Sequence, residues 1–148
     1  MWNNLLKLIK DPKENQEIRG DEAVAAILVR AAKTDGIYTN SEQKLIEKLL
    51  MQQMHVSKEK VSQLQISAEA LEKEINDNVQ LTRVIKKEID YDDRKELVQQ
   101  IWQIIMDDDV RTPEENKFMR VLTNLLGVND VESAKARSKA IKLLEKRT

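Results

Sequence analysis

Apolar residues recur along most of the chain at the spacing of an α-helix. They follow the i, i+3, i+4, i+7 pattern that places side chains on one helix face, and the alternation typical of β-strands is hard to find. The clearest helical patterns cover residues 21–35, 39–55, 57–75, 81–89, 97–105, 113–126 and 130–144. The sequence therefore predicts an all-α fold, a compact bundle of about six to eight helices.

Residue types that begin and end helices separate these patterns. Thr39 and Thr112 are each followed three residues later by a glutamate, Glu42 and Glu115, which is the signature of a capping box. In a capping box each of the two side chains accepts a hydrogen bond from a backbone N–H that has no partner within the helix. Gly36 suits the left-handed conformation that follows a helix end, so one helix should end just before it.

Two further boundaries are predicted in the second half of the chain. The polar run at residues 90–93 interrupts the helical pattern and predicts a break between two helices. Asp130 is the expected N-cap of the last helix, because its short carboxylate accepts hydrogen bonds from the first helical N–H groups. Ala134, Ile141 and Leu144 are expected to point inward from that helix.

The sequence contains two similar acidic turns. Residues 33–42 read KTDGIYTNSE and residues 106–115 read MDDDVRTPEE, each between two helical patterns. A shift of 73 residues therefore aligns helix caps and apolar positions together, which predicts two pseudo-symmetric helix–acidic turn–helix hairpins with adjacent turns. The aligned pairs include Val24 with Leu97, Leu28 with Ile101, Ala31 with Ile104, Thr39 with Thr112, Glu42 with Glu115, Ile46 with Met119 and Leu49 with Leu122.

Composition and charge narrow the class of function. The 148 residues fit one domain, and 25 Lys plus Arg against 26 Asp plus Glu leave a net charge of −1. Bulk electrostatics therefore favours neither nucleic acid nor an anionic membrane as a partner. The absence of cysteine and the single histidine, His55, exclude disulfides, thiolate metal sites and His-rich zinc sites. No nucleophile–base pair is recognisable, so we expect a binding protein and not an enzyme.

The acidic turns admit two interpretations. If the turns are adjacent, carboxylates from both could converge on a hard cation that prefers oxygen ligands, such as Ca²⁺ or Mg²⁺. Alternatively, the glutamates are only capping-box residues and the aspartates only turn residues, in a purely structural interaction or oligomerisation domain without metal. Neither turn has the ligand spacing of an EF-hand. The candidate ligands are Asp35, Glu42, Asp108 and Glu115, and also Asp107 and Asp109.

Two stretches resemble a known family. AAKTDGIYTNSEQKLIEKLL at residues 31–50 and IIMDDDVRTPEENKFMRVLTNLLGV at residues 104–128 are similar to the TerB-like family, named for a bacterial tellurite-resistance protein. The resemblance covers the chain from Asp21 to the C-terminus. Residues 21–148 are therefore predicted to form a TerB-like helical domain, and residues 1–20 a short amphipathic helix and linker. Asp109 departs from the pattern, because the family usually has glycine there.

The resemblance implies more than a fold. It implies a bacterial, cytoplasmic setting, an association with stress or tellurite-resistance systems, and a divalent-cation site in the acidic turns. It also implies binding to other proteins rather than catalysis. The expected partners are therefore other proteins, including a second copy of the chain. Nucleic acid is not expected as a partner, because the basic stretches are interrupted by acidic or apolar residues.

The first ten residues form a separate amphipathic pattern. Trp2, Leu5, Leu6 and Ile9 share one helix face, while residues 3, 7 and 10 are polar or basic. This face could pack on its own bundle, on a second protein or on a membrane surface. We favour packing on protein, because ten residues bury too little area for strong membrane attachment. The chain has neither a secretory signal core nor the apolar run of roughly 18 residues that spans a bilayer, so we expect a cytoplasmic protein.

Overall fold

The computed structural model describes residues 18–107 and 112–146, and within these residues the chain consists of seven α-helices without any strand. The helices are α1 Gly20–Ala32, α2 Asn40–Met54, α3 Lys58–Glu74, α4 Val79–Glu88, α5 Tyr91–Ile105, α6 Pro113–Leu125 and α7 Asp130–Glu145. The predicted all-α bundle is therefore confirmed. The predicted N-terminal helix at residues 2–9 lies outside the described residues.

Helix α1 lies in the centre of the bundle. It is rich in alanine and β-branched residues, and Val24, Ile27 and Leu28 are almost completely buried. It packs against α2, α3, α4 and α5, because its small side chains let several helices approach closely. Helix α5 is the second centre of packing, since it lies against α7 as well as against α1, α2 and α4. The two predicted hairpins therefore supply the two central helices.

The break predicted at residues 90–93 is shorter in the structure. Helix α5 already begins at Tyr91, and the side chain of Asp90 accepts a hydrogen bond from the backbone N–H of Asp93 at 3.1 Å. Asp92 and Asp93 thus form the first turn of α5, where carboxylates stabilise the positive end of the helix dipole. The prediction of a break was wrong for these residues because an acidic first turn looks like a loop in sequence.

Two predictions for helix α7 were also wrong. The N-cap is Asn129, whose side chain accepts from the N–H of Glu132 at 2.9 Å, and Asp130 is the first helical residue. Ala134 is exposed, because the small residues on a neighbouring face meet α5 instead. The buried residues of α7 are Ser133, Ala136 and Ala140, while Ile141 and Leu144 are half-buried.

The lengths and compositions of the helices bear on membrane insertion. No helix in residues 18–107 and 112–146 combines the length and the apolar composition needed to cross a lipid bilayer.

Candidate functional site

The two acidic turns leave their helices in the same way. Helices α1 and α5 end 73 residues apart, and α2 and α6 begin 73 residues apart. The N–H of Thr34 donates to the carbonyl of Ala31, and the N–H of Asp107 donates to the carbonyl of Ile104, each at 3.3 Å. The repeat predicted from sequence is therefore also a repeat of backbone conformation where each turn begins.

Both predicted capping boxes are present. Thr39 Oγ1 accepts from the N–H of Glu42 at 3.1 Å, and Glu42 Oε1 accepts from the N–H of Thr39 at 3.2 Å. Thr112 Oγ1 accepts from the N–H of Glu115 at 3.1 Å, and Glu115 Oε1 accepts from the N–H of Thr112 at 2.8 Å. These bonds hold the first turns of α2 and α6 and orient both glutamate side chains.

The two turns border one cleft of about 330 Å³. We call it the inter-turn cleft. The first turn contributes Asp35 and Glu42, and the second contributes Asp107 and Glu115. Its lining is completed by Ala31, Ile37, Thr39, Ser41 and Ile104. The structure therefore brings together four of the six acidic residues singled out in the sequence, whereas Asp108 and Asp109 lie outside the described residues.

The four carboxylates differ in depth. Asp35 is exposed at the rim, Glu42 and Asp107 are half-buried, and Glu115 is only 3% exposed. A buried carboxylate is costly without hydrogen bonds, and the capping bond from Thr112 supplies one to Glu115. Because the described lining contains no basic side chain, the cleft has a negative potential that favours a cation.

Asp35 also has a structural role. Its Oδ1 accepts a hydrogen bond from the N–H of Ile37 at 2.9 Å, which closes an Asx turn. Gly36 between them has φ +85°, the left-handed conformation expected from sequence. Asp35 is thus a turn residue whatever else it binds.

The side chains of the cleft are of the type that binds divalent cations, but among the described residues their arrangement does not form a metal site. Carboxylate oxygens are the ligands that Ca²⁺ and Mg²⁺ prefer, so the donor type fits. Across the part of the chain that the structure describes, however, no three His, Cys, Asp or Glu side chains lie close enough together to hold a metal ion. Asp35, Glu42, Asp107 and Glu115 share a cleft without forming a closed coordination shell.

A tyrosine beside the cleft was missed by the sequence analysis. The hydroxyl of Tyr38 donates to Glu69 Oε2 of α3 at 2.7 Å, and Lys33 Nζ lies 5.6 Å from the centre of the ring. Burial, and then the hydrogen bond to Glu69, raise the pKa of Tyr38 well above its usual value. This contact ties the first turn to α3, and no sequence signal pairs residues 31 positions apart.

A second network missed by the sequence analysis lies behind the first turn. The Arg30 guanidinium contacts Glu72 at 3.1 Å and donates to the carbonyl of Asp77 and to Asn78 Oδ1, while Lys33 Nζ lies 2.8 Å from Glu72. Burial alone would raise the pKa of Glu72, but hydrogen bonds and charge from Lys33 and Arg30 outweigh it and lower that pKa. Arg30 thus holds the α3–α4 connection against α1.

Comparison with known proteins agrees with the resemblance seen in sequence. The family model described as tellurite resistance protein TerB matches residues 21–138, well over half of the chain and both hairpins. Neither a curated protein nor a solved structure matches the chain. With the duplicated hairpin, the helical bundle and the family match together, the chain belongs to the TerB family of tellurite resistance proteins.

Proposed function

We propose that this TerB-family chain is a non-enzymatic binding module of a stress-response or tellurite-resistance assembly, and that its inter-turn cleft binds a divalent cation. One observation carries the proposal: carboxylates from two equivalent turns border the same cleft. Membership of the family supplies the association with tellurite resistance. The proposed setting is the bacterial cytoplasm, and the proposed partners are other proteins.

The side chains of the cleft support binding over catalysis. Its described lining offers carboxylates, two hydroxyls and apolar groups, but no histidine, lysine or arginine that could stabilise negative charge developing in a reaction. The one histidine, His55, lines a different cavity at the end of α2. A cation in the cleft would lower the repulsion between the carboxylates that line it.

The ion is proposed to bind to Asp35, Glu42, Asp107 and Glu115. In the sequence, Asp108 extends the acidic run of the second turn. Ca²⁺ suits this donor set better than Mg²⁺, because it accepts irregular geometry and a variable number of oxygen ligands, whereas Mg²⁺ demands a near-ideal octahedron. The ion would supply charge neutralisation and a link between the two turns.

A second candidate function has its own support. Glu42 and Glu115 are explained by capping boxes, and Asp35 by its Asx turn, so all three carboxylates have local structural roles. In that case the chain is a structural interaction or oligomerisation domain, and the cleft binds no metal.

Calorimetric titration with CaCl₂ and with MgCl₂ separates the two functions. The test variant is Asp35→Asn/Glu42→Gln/Asp107→Asn, which removes three charges from the cleft. Asn and Gln keep a side-chain carbonyl oxygen, so the Asx turn and the capping box survive. The matched control, Asp92→Asn/Asp130→Asn/Glu59→Gln, removes three exposed charges at the starts of α5, α7 and α3, away from the cleft.

Binding heat and a raised melting temperature are expected for the wild-type chain and the control, and neither for the cleft variant. Saturation at about 100 times the dissociation constant would stabilise the fold by about 2.7 kcal/mol. A wild-type chain that releases no heat and melts at the same temperature in saturating Ca²⁺ and Mg²⁺ would leave the structural function alone.

A further inference from the structure

A groove runs along the surface of the bundle between helices α2 and α3. It measures about 370 Å³, and its described lining shares no residue with that of the inter-turn cleft. Each helix faces the groove with residues spaced i, i+3, i+4 and i+7, which form one stripe along two helical turns. The stripes are Asn40, Gln43, Lys44 and Glu47 on α2, and Ser62, Gln65, Ile66 and Glu69 on α3. We call these eight residues the α2–α3 face.

Hydrogen bonds hold the two walls of the groove together. Helices α2 and α3 run antiparallel, because Tyr38 just before α2 contacts Glu69 near the end of α3. In the middle of the groove, Gln65 Nε2 donates to the backbone carbonyl of Gln43 at 2.9 Å. The Gln65 side chain is buried, so this hydrogen bond is shielded from water. The α2–α3 face is therefore a preformed surface.

Ile66 is the apolar residue of this face. Its exposed fraction is 68%, the largest among the large hydrophobic residues that the structure describes. Burial of this side chain against another protein surface is favourable, because its apolar atoms then leave water. Ile66 is therefore a candidate contact residue.

The repeat shows that the fold does not require an apolar residue at this position. Helix α7 packs on α5 as α3 packs on α1. The same shift of 72 residues that pairs Ile66 with the exposed Ser138 also pairs the buried residues of the two helices. These buried pairs are Val61 with Ser133, Leu64 with Ala136 and Ala68 with Ala140. The packing of the bundle thus accepts a polar residue there, and Ile66 is available for a contact outside its own chain.

The charged residues of the face match a second copy of the same face. Lys44 and Glu47 carry opposite charges one turn apart on α2. Two copies related by a twofold axis, with their α2 helices antiparallel, bring Lys44 of each copy beside Glu47 of the other. Lys44 has no ion pair with any residue in 18–107 or 112–146, and the 3.7 Å contact of Glu47 with Lys58 is weak because Lys58 is 74% exposed. Both charges are therefore available to a partner.

The uncharged polar residues also match a second copy. Asn40, Gln43 and Ser62 offer amide and hydroxyl groups, which both donate and accept hydrogen bonds. Such groups can pair with the same groups of another copy, whereas a strongly acidic or basic partner would meet a like charge at Glu47 or Lys44. The chemistry of the face therefore favours a second copy of the chain over a partner of one charge sign.

We propose that the α2–α3 face is the interface of a homodimer, in which two copies pack antiparallel across a twofold axis. Ile66 of each copy lies in the groove of the other, and Lys44 faces Glu47 of the partner subunit. Eight residues line the groove, against about 20–30 on each side of a stable interface, so the dimer is weak, with a dissociation constant on the order of 10–100 µM. The proposal is independent of a cation in the inter-turn cleft, because the two surfaces share no described lining residue.

Sedimentation equilibrium of the full chain in EDTA measures the dimer without any divalent cation. The wild-type chain should show a monomer–dimer equilibrium. Ile66→Ser, which introduces the residue type of the equivalent position on α7, should raise the dissociation constant about tenfold or more, because both copies lose an apolar contact. Val131→Ser is the matched control, since Val131 is 63% exposed on α7 and lies outside the face. It should leave the dissociation constant unchanged.

A charge swap tests the twofold arrangement. Lys44→Glu and Glu47→Lys each place like charges across the axis, so each should raise the dissociation constant about tenfold. Lys44→Glu/Glu47→Lys restores opposite charges on both sides of the axis and should return the dissociation constant to within about threefold of the wild-type value. Lys58→Gln removes only the contact of Glu47 within the chain and should have no effect on the dimer.

Three results would overturn the proposal. The first is a chain that stays monomeric up to about 1 mM in EDTA, which is about ten times the weakest dissociation constant expected. The second is a dimer that Ile66→Ser does not weaken, and the third is a double charge variant that dissociates as readily as the two single variants. Thermal melts of the dilute variants check the fold. Because all the changed side chains lie at the surface, the melting temperatures should stay close to that of the wild-type chain.

Discussion

The two hairpins have turns of the same conformation, but their central helices make different contacts with the rest of the bundle. Helices α1 and α5 end at equivalent residues, and Thr39 and Thr112 cap the helices that follow with the same hydrogen bonds. The central helix of the first hairpin, α1, is held to its neighbours by an ion pair and hydrogen bonds. Arg30 reaches across to Glu72 and to the α3–α4 connection, whereas the equivalent residue of the second hairpin is Gln103.

The central helix of the second hairpin, α5, is held to α7 by an aromatic side chain. Trp102 of α5, equivalent to Val29 of α1, donates from Nε1 to Ser133 Oγ of α7 at 3.3 Å. The guanidinium of Arg137 lies 5.7 Å from the centre of a Trp102 ring. The comparison teaches that features formed by neighbouring residues repeat between the hairpins, while features that meet another helix differ, because α1 meets α3 and α5 meets α7.

Core truncation should give the largest effect and test the equivalence most severely. Leu28 and Ile101 are equivalent and are both fully buried. Leu28→Ala and Ile101→Ala should each lower the free energy of unfolding by about 3 kcal/mol through lost burial and a cavity. Urea denaturation measures both. Val121→Ala, at a residue that is 44% exposed, serves as control and should change little. Values more than about 1.5 kcal/mol apart would show unequal cores.

Loss of the Arg30 guanidinium should have the second-largest effect, and this effect should differ between the two hairpins. Arg30→Met removes one of the two cationic partners of Glu72, a side chain only 12% exposed, together with the hydrogen bonds of Arg30 to the α3–α4 connection, so it should cost about 2–3 kcal/mol. Gln103→Met at the equivalent position should cost less than about 1 kcal/mol. Urea denaturation of both variants measures these changes. Equal losses of unfolding free energy would contradict the conclusion that the two hairpins are held by different contacts.

The helix caps should show a smaller and nearly symmetric effect. Thr39→Ala and Thr112→Ala each remove one side-chain acceptor, so each should lower stability by about 1 kcal/mol. The loss at Thr112 should be the larger of the two, since its partner Glu115 is 3% exposed and Glu42 is half-buried. Thermal melts measure this order. Thr39→Ser and Thr112→Ser keep the hydroxyl and should stay close to wild type.

The pH dependence of stability should show the smallest effect, and it tests the contact between Glu72 of α3 and the first hairpin. The pKa of Glu72 is lowered from its ordinary 4.5, so its folded state binds fewer protons than its unfolded state. Its contribution is complete above pH 4.5 and is lost as the pH falls through the lowered pKa. Glu72→Gln should flatten the acid limb of a stability–pH profile. A limb as steep as in wild type would contradict this assignment, and the exposed Glu88→Gln serves as control.

Much of the candidate site could be predicted from sequence. Capping boxes and the left-handed Gly36 depend on residues within a few positions of each other, so spacing alone identified them, and Asp35 was recognised as a turn residue. The adjacency of the two turns followed from the repeat and is confirmed by the shared cleft. The partners of Tyr38 and Arg30 were out of reach, because Glu69 and Glu72 become neighbours only after α3 has packed on α1.

The sequence by itself determined the helices, their caps and the duplicated acidic hairpin, because these depend on backbone hydrogen bonds and apolar periodicity over short distances. Only the tertiary structure decided which helix faces meet, so Ser133, Ala136 and Ala140 are buried while Ala134 is exposed. It also decided how deep each carboxylate lies in the cleft, from exposed Asp35 to buried Glu115. Depth depends on packing among helices far apart in sequence, which local patterns do not encode.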